Sequence, residues 1–433
     1  ARFPIRTINY HNARFYGKKI LSSMLGSLGY FAGRYRYAAP SQSPPQLSSP
    51  TSLFTSVPSR TFFPRGFLWD DAFHMLLISR WSPPLAMELL HSWLSLMQPD
   101  GWIPREVILG AEAESAVPPE FLVQQLGMGN PPALMMAIKA LLTQQAWQST
   151  DTDTVSSHVN NTNLLHSFLA NNFELLQRHF QWFVATQGGQ EAGTFRWRGR
   201  QGDHTLTSGL DDYPRSPIPV ESEKHVDLLT WMIYSAGVMA EVANVVGLPE
   251  ARRSYQAQAA TWTETLHARH WSPKQMFVDI DGVREERTKG TKGKGGKGGK
   301  GAETVIRTAI PYIEHHGYLS IFPFALQVLS PVEDADKLQS IYNSLASPSL
   351  LWSPQGFRSL AKSDPLFGSG ENYWRGPVWM NLNFLTLAAL HDYSKQMTGS
   401  LSTDMANLYK MAREGMVANV LVHLERRGYL YEQ

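Results

Sequence analysis

The amino-acid sequence predicts an all-α fold of paired helices, and three observations carry that expectation. Apolar residues recur at helical spacing along most of the chain. Strand-like alternation is almost absent, and the helical segments are divided by proline and glycine breakers.

The first segment lies near 14–28 and the second near 66–81. Ser82-Pro83-Pro84 separates the latter from a third near 84–97, where Leu85, Leu89, Trp93 and Leu96 share a face. Asn130-Pro131-Pro132 opens a helix near 131–146, and another follows near 161–187. Leu229, Ile233, Ala236, Ala240 and Ala243 form the stripe of a helix near 224–247; Gly247 closes it and Pro249 opens the next, to 270. Segments near 313–328 and 332–347 make a further pair. The last are 376–395, with Val378, Leu382, Leu385, Ala389 and Tyr393 on one face, and 402–427. Roughly eleven helices result, in hairpins with alternately short and long connections.

The long connections 101–130, 194–215 and 352–375 gather Trp, Arg, Asp and Glu, as loops do when a rigid scaffold presents them for function. Two stretches read as peripheral: a Ser/Pro-rich loop over 38–60 and a Gly/Lys-rich flexible insertion over 285–303. A small hairpin over Met276–Arg284, turning at Asp281-Gly282, precedes the insertion.

With 43% hydrophobic and 18% charged residues, 433 residues suit one large soluble domain. The formal charge of +2 includes Lys289, Lys292, Lys294, Lys297 and Lys300, and without them it falls to −3. A weakly acidic body offers no broad basic surface, so no nucleic-acid partner is expected. Cysteine is absent, which excludes disulfides, thiol nucleophiles and thiolate metal sites. No run of 18 apolar residues exists, and the start at Ala1 carries neither an initiator Met nor a signal peptide. The chain therefore reads as a fragment, with any membrane anchor upstream of it. Asn160-Asn161-Thr162 matches a glycosylation acceptor.

No HExxH pattern and no Gly-rich phosphate loop occurs, which leaves carboxylates as the main carriers of chemistry. The most informative segment is Ser208-Gly209-Leu210-Asp211-Asp212-Tyr213-Pro214-Arg215. A glycosidase needs one carboxyl protonated near neutral pH and a second carboxylate to activate water or attack carbon. Adjacent residues of an extended loop point apart, so one Asp can face substrate while the other bonds backbone amides or Arg215. A plain turn-and-cap role is the competing reading. Phe62–Asp71 offers the same choice at a helix entrance: Arg65, Trp69 and Asp70 serve either as caps or as a sugar subsite. Three further loops alternate Trp with Arg: Gly101–Glu106, Phe195–Arg200 and Tyr373–Trp379. One such loop is an ordinary stacking motif, but several between paired helices suggest a shared pocket. His315-His316 lacks the spacing of a helical metal pair.

In order along the chain, Phe62–His74, Gly101–Ala113, Phe195–Arg200, Ser208–Arg215, Leu351–Leu360, Tyr373–Trp379 and Gly428–Gln433 resemble the motifs of processing α-glucosidases of glycoside hydrolase family 63. The trehalases are more distantly similar. The resemblance runs from about Ile20 to the last residue. It implies an (α/α)6 toroid of twelve helices, here lacking the last one, with the active site at the loop-bearing end. It also implies Asp211 as general acid and Glu432 as general base, set roughly 6.5–9.5 Å apart for inversion. Substrate-binding positions implied are Arg65, Trp69, Asp70, Arg105, Glu106, Asn130, Arg198, Gly209, Arg215, Tyr373, Trp374 and Arg375.

The substrate implied is the triglucosylated N-linked oligosaccharide, whose outermost α-1,2-linked glucose is removed in the endoplasmic reticulum. No metal or cofactor is called for. The β-domain and anchor typical of eukaryotic members lie outside this chain, and the Gly-Lys insertion is foreign to the family pattern. Other readings are a trehalase-like or other α-glycosidase on the same fold, and an inactive fragment that binds oligosaccharide.

Overall fold

The computed structural model describes residues 10–39, 44–148, 155–289, 303–309 and 312–428. Twelve α-helices stand among them: α1 Tyr10–Gly26, α2 Leu68–Trp81, α3 Pro83–Leu94, α4 Gly110–Ser115, α5 Leu134–Gln148, α6 Val155–Gln187, α7 Val226–Val245, α8 Pro249–Thr265, α9 Tyr318–Ala325, α10 Ala335–Ala346, α11 Met380–Gln396 and α12 Ser400–Arg427. The molecule is mostly helical, as the apolar periodicity predicts. Only the one-turn-and-a-half α4 lies in a stretch read as loop.

Several helices pack on their chain neighbours, α7 on α8, α11 on α12 and α2 on α3, and α2 also packs on α5. The breakers act where expected. Pro83 and Pro249 open α3 and α8, where a missing N–H costs nothing, and Gly247 takes the left-handed conformation after α7. By length and composition α7 is apolar enough to cross a bilayer, but 83% of its most apolar window is buried inside the molecule, which marks it as the core helix. One buried apolar cluster runs from Tyr35 to Ala412 and includes Trp93, Trp102, Trp197, Trp231 and Trp374.

Short strands decorate this helical body, and they correct three sequence expectations. First, 38–60 is not simply a peripheral loop. Strand β1 (Leu28–Gly33) is followed by β2 (Arg36–Ala38), β3 (Gln46–Leu47) and β4 (Thr51–Ser56). β4 pairs antiparallel with β1, Leu53 is fully buried, and the Phe54 N–H donates to Ser92 Oγ of α3 at 2.8 Å. The Ser and Thr residues of β4 hide the strand, because Leu53, Thr55 and Ser56 are all buried and only the first of them is apolar.

Second, the hairpin expected to turn at Asp281-Gly282 turns earlier. Trp271 bridges Phe277, and Gln275 adopts φ 58 between them. Asp279 then bridges Ile313, while Ile280 bridges Lys224. Third, α9 is shorter than 313–328. Ile313 and Gly317 are spent on bridges to Asp279 and Leu360, and Gln327 with φ 55 stops the helix after Ala325.

Beyond these, β5 (Gly66–Phe67) pairs antiparallel with β6 (Glu106–Val107), and β2 pairs parallel with β7 (Val123–Gln125). Strands β8 (Val283–Lys289) and β9 (Glu303–Ala309) pair antiparallel on either side of the Gly-Lys run, which itself lies outside the described residues. β10 (Trp352–Ser353) and β11 (Gly356–Phe357) close a tight turn ahead of α11.

Candidate active site

Two Asp-Asp pairs approach each other, and in each one aspartate is buried while its neighbour is half-buried. At the start of α2, Asp71 is fully buried and accepts hydrogen bonds from Thr55 Oγ1 at 2.7 Å, Trp93 Nε1 at 2.7 Å, and the Ser56 amide and hydroxyl. It ties α2 to β4 and α3. Asp70, next to it, is half-buried and faces the second pair. In the loop after the short 3-10 turn Leu206–Ser208, Asp212 accepts from the Tyr373 and Trp374 amides at 3.2 and 2.6 Å. Its carbonyl accepts from Arg375 Nε at 2.8 Å. Asp211 is left half-buried.

Burial pushes the Asp211 carboxyl up to about 7; Asp212 and Glu106 reinforce the shift, while Arg105 and His204 oppose it. Asp70 is likewise pushed up to about 7 by burial and by the charge of Asp211, against Arg105. Asp70 thus feels the charge of Asp211, and with both raised to about 7 the two carboxyls are able to give a proton near neutral pH.

The surrounding loops are packed from aromatic rings and paired charges. Gly209 lies against the indole of Trp69: a Cβ there would come within 2.6 Å of the ring, and φ is 75, so only glycine fits. Trp374 stacks on Trp379 with centroids 4.1 Å apart and an 11° tilt, and it stands 6.3 Å from Trp69. The stack is fixed from behind by Tyr318, whose hydroxyl accepts from the Trp379 amide at 3.1 Å and from Asn383 Nδ2 at 2.9 Å. Arg65 donates to Glu106 at 2.8 Å and lies over the Phe63 and Phe67 rings, at 5.4 and 4.8 Å. Arg105 pairs with the same Glu106, and its carbonyl accepts from Asn130 at 3.2 Å.

Thus Arg65, Trp69, Asp70, Arg105, Glu106, Asn130, Gly209, Asp211, Tyr373, Trp374 and Arg375 belong to one connected cluster. Two expected substrate contacts do not join it at the cleft. Arg215 is sealed beneath, donating to Asp227 at 2.6 and 3.2 Å and to Asp279 at 2.7 Å. Arg198 is committed to the C-terminal end of α6, donating to the Thr186 and Gly188 carbonyls at 3.0 and 2.8 Å, and to Glu221 at 3.1 Å. Both guanidinium groups are captured by acceptors whose nearness no sequence spacing shows. Glu432 lies outside the described residues.

The sequence reading missed the support beneath the cleft. Asp279 caps α7 through the Val226 amide at 2.8 Å, and His225 accepts from the Trp197 amide at 3.0 Å while its Nε2 lies 3.0 Å from Glu223. Arg200 completes this layer by pairing with Glu223 at 2.8 Å. Burial alone would raise the Glu223 carboxyl, but His225 and Arg200 hold it down at about 2. No group of three or more metal-ligating side chains occurs among the described residues, and His315 pairs with Asp364 at 3.0 Å.

The model of the glycosyl hydrolase family 63 C-terminal domain matches residues 2–433. The chain belongs to this family. It is 34% identical to mannosyl-oligosaccharide glucosidase GCS1 of Arabidopsis thaliana, over 96% of this chain and 51% of that protein. It is 32% identical to the mannosyl-oligosaccharide glucosidase of Saccharomyces cerevisiae, over 97% of this chain and 54% of that one. The chain thus spans about half the length of these curated relatives. Among solved structures, the family 63 mannosylglycerate hydrolase of Thermus thermophilus in complex with Tris superposes with a TM-score of 0.59 at 15% identity, covering 87% of this chain and 90% of that one. Neutral trehalase Nth1 of Saccharomyces cerevisiae gives 0.50 at 12%, covering 89% and 79%. These two likenesses concern the fold. Membership of family 63 makes the chain a glycoside hydrolase domain, which agrees with a cleft of proton-holding carboxyls and aromatic faces.

Proposed function

We propose that the chain is the catalytic part of an inverting exo-α-glucosidase that removes the terminal α-1,2-linked glucose from the triglucosylated N-glycan precursor. The observation that carries this is Asp211: a half-buried carboxyl held up at about 7, in a Trp-lined cleft of a family 63 domain. A carboxyl of that pKa is protonated and poised near neutral pH, as a general acid must be. Asp211 gives its proton to the glycosidic oxygen as the bond to the anomeric carbon breaks. Glu432 acts as general base on the attacking water from the opposite face, which inverts the anomeric centre. Trp69 and the Trp374–Trp379 stack receive the C–H face of the glucose, and Asp70, Arg105 and Glu106 take its hydroxyls.

The toroid of paired helices is part of the same proposal, supported by the family and by the fold likeness to the Thermus hydrolase and to trehalase. So are the single catalytic domain and the endoplasmic-reticulum setting, which the names of the curated relatives support. Any membrane association would come from an anchor outside this chain.

Glucose release from a fluorescently labelled triglucosylated oligosaccharide, compared with trehalose and followed by NMR for the first anomer formed, tests the reading. The expected result is β-glucose from the glycan, no cleavage of trehalose, and a loss of about 10²–10⁴-fold in Asp211→Asn. α-Glucose as first product, or full activity in Asp211→Asn, would reject it.

A further inference from the structure

An exo-acting hydrolase must hold the sugar it removes and also meet the sugar it leaves behind. We propose that His204 and Glu371 form the wall of the cleft that binds this second unit, taking its ring hydroxyls through imidazole and carboxylate. The proposal rests on Asp211 being the proton donor, because the donor to the glycosidic oxygen stands on the leaving-group side. What lies between Asp211 and solvent is then what the rest of the glycan must pass.

The backbone holds His204 beside Asp211, whose carboxyl feels the imidazole. Gln201 and His204 exchange two hydrogen bonds of 2.9 Å in a tight turn, and the next amide, Thr205, donates to the carbonyl of Asp211 at 2.8 Å. The imidazole Nε2 lies 3.2 Å from a carboxylate oxygen of Glu371 on the opposite loop. That loop needs three left-handed residues to turn back toward the cleft: Gly368, Gly370 and Asn372, at φ 69, 64 and 53. Arg375 joins both rims to the acid's own loop. While its Nε holds the Asp212 carbonyl at 2.8 Å, its other nitrogens reach Asp203 at 3.6 Å and Ser369 at 3.4 Å. The two rims therefore keep a set position relative to Asp211.

Exposure separates the wall from the floor. Trp69, Arg65, Glu106 and Trp374 are buried and suit one enclosed ring, whereas the His204 and Glu371 side chains are 37% and 66% exposed. A contact so exposed adds little to stability, so exchanging it for hydrogen bonds to hydroxyls costs little. A carboxylate accepts from vicinal hydroxyls and an imidazole both donates and accepts, which fits the second unit of an α-linked glucoside.

The test measures binding on the full chain carrying Asp211→Asn, which leaves the ligand intact. Calorimetric Kd values for glucose and for the α-1,2-linked glucose disaccharide are compared in that parent and after adding His204→Ala or Glu371→Gln. The expected parent prefers the disaccharide by about tenfold, and each added substitution shrinks the preference to about twofold while glucose binding is unchanged. A preference that survives both substitutions, or that is absent from the parent, overturns the assignment. Hydrolysis of the disaccharide is scored separately in the unmutated chain and in Asp211→Asn: hydrolysis retained in the variant removes Asp211 as donor, while the binding ratio reports on the wall itself.

Discussion

Asp70 and Asp211 each sit half-buried beside an aspartate that has turned inward to bind protein groups, and that division has a cost in stability. Both carboxyls are pushed up to about 7 in the folded chain, chiefly by burial. A raised carboxyl pKa means that the unfolded chain loses its proton first, near the ordinary value of about 4. Stability therefore falls as pH rises from about 4 to about 7, and it is fully present only below that window. Asp211→Asn and Asp70→Asn should accordingly melt higher than the unmutated chain, with a gain that grows from pH 4 to pH 8; a gain independent of pH would contradict the raised pKa values. Arg215 behaves in the opposite way. Arg215→Ala strands Asp227 and Asp279 in the interior and should cost about 3–5 kcal/mol in denaturant unfolding. The sequence suggests that one acid of the pair at 211–212 holds backbone amides, and Asp212 does so. It does not show that the amides are those of Tyr373 and Trp374, because roughly 160 residues of intervening chain set that meeting.

At the scale of elements, helices were legible and strands were not. A period of 3.6 with flanking proline and glycine places α3, α7, α8 and α11 to within five residues at either end. The β4 strand escapes because its apolar residues, Leu53 and Phe54, are adjacent rather than alternating and are flanked by Ser and Thr. Leu53→Ala should cost about 2–5 kcal/mol in chemical unfolding, the range for a buried leucine; an effect below about 1 kcal/mol would return the segment to the status of a surface loop. Gly415 makes a second test. Glycine inside a helix is ordinarily improved by alanine by about 1 kcal/mol. Here a Cβ would come within 2.1 Å of the Pro354 carbonyl in the turn between β10 and β11. Gly415→Ala should therefore destabilise, and a raised melting point would show that α12 and that turn are not in close contact.

For the whole molecule, the support beneath the cleft draws on four distant stretches: Arg215 with Asp227 and Asp279, and Asp212 with Tyr373 and Trp374. Such cross-links argue for a single cooperative unit. Tryptophan fluorescence and far-UV circular dichroism should report one coincident unfolding transition, whereas two separated midpoints would divide the chain into independent parts. The helical class, the breakers, the loops that carry chemistry and the family motifs can all be read from the order of residues, because each depends on neighbours a few positions apart. Which charge is spent on structure and which faces the cleft cannot be read in that way. Arg215 and Arg198 look like Arg65 and Arg105 in their motifs, and His204 looks like any loop histidine. Their roles differ because folding brings Asp227, Asp279, the end of α6 and Glu371 within reach: burial makes the Arg215 partnerships decisive, while the exposed His204–Glu371 contact stays exchangeable.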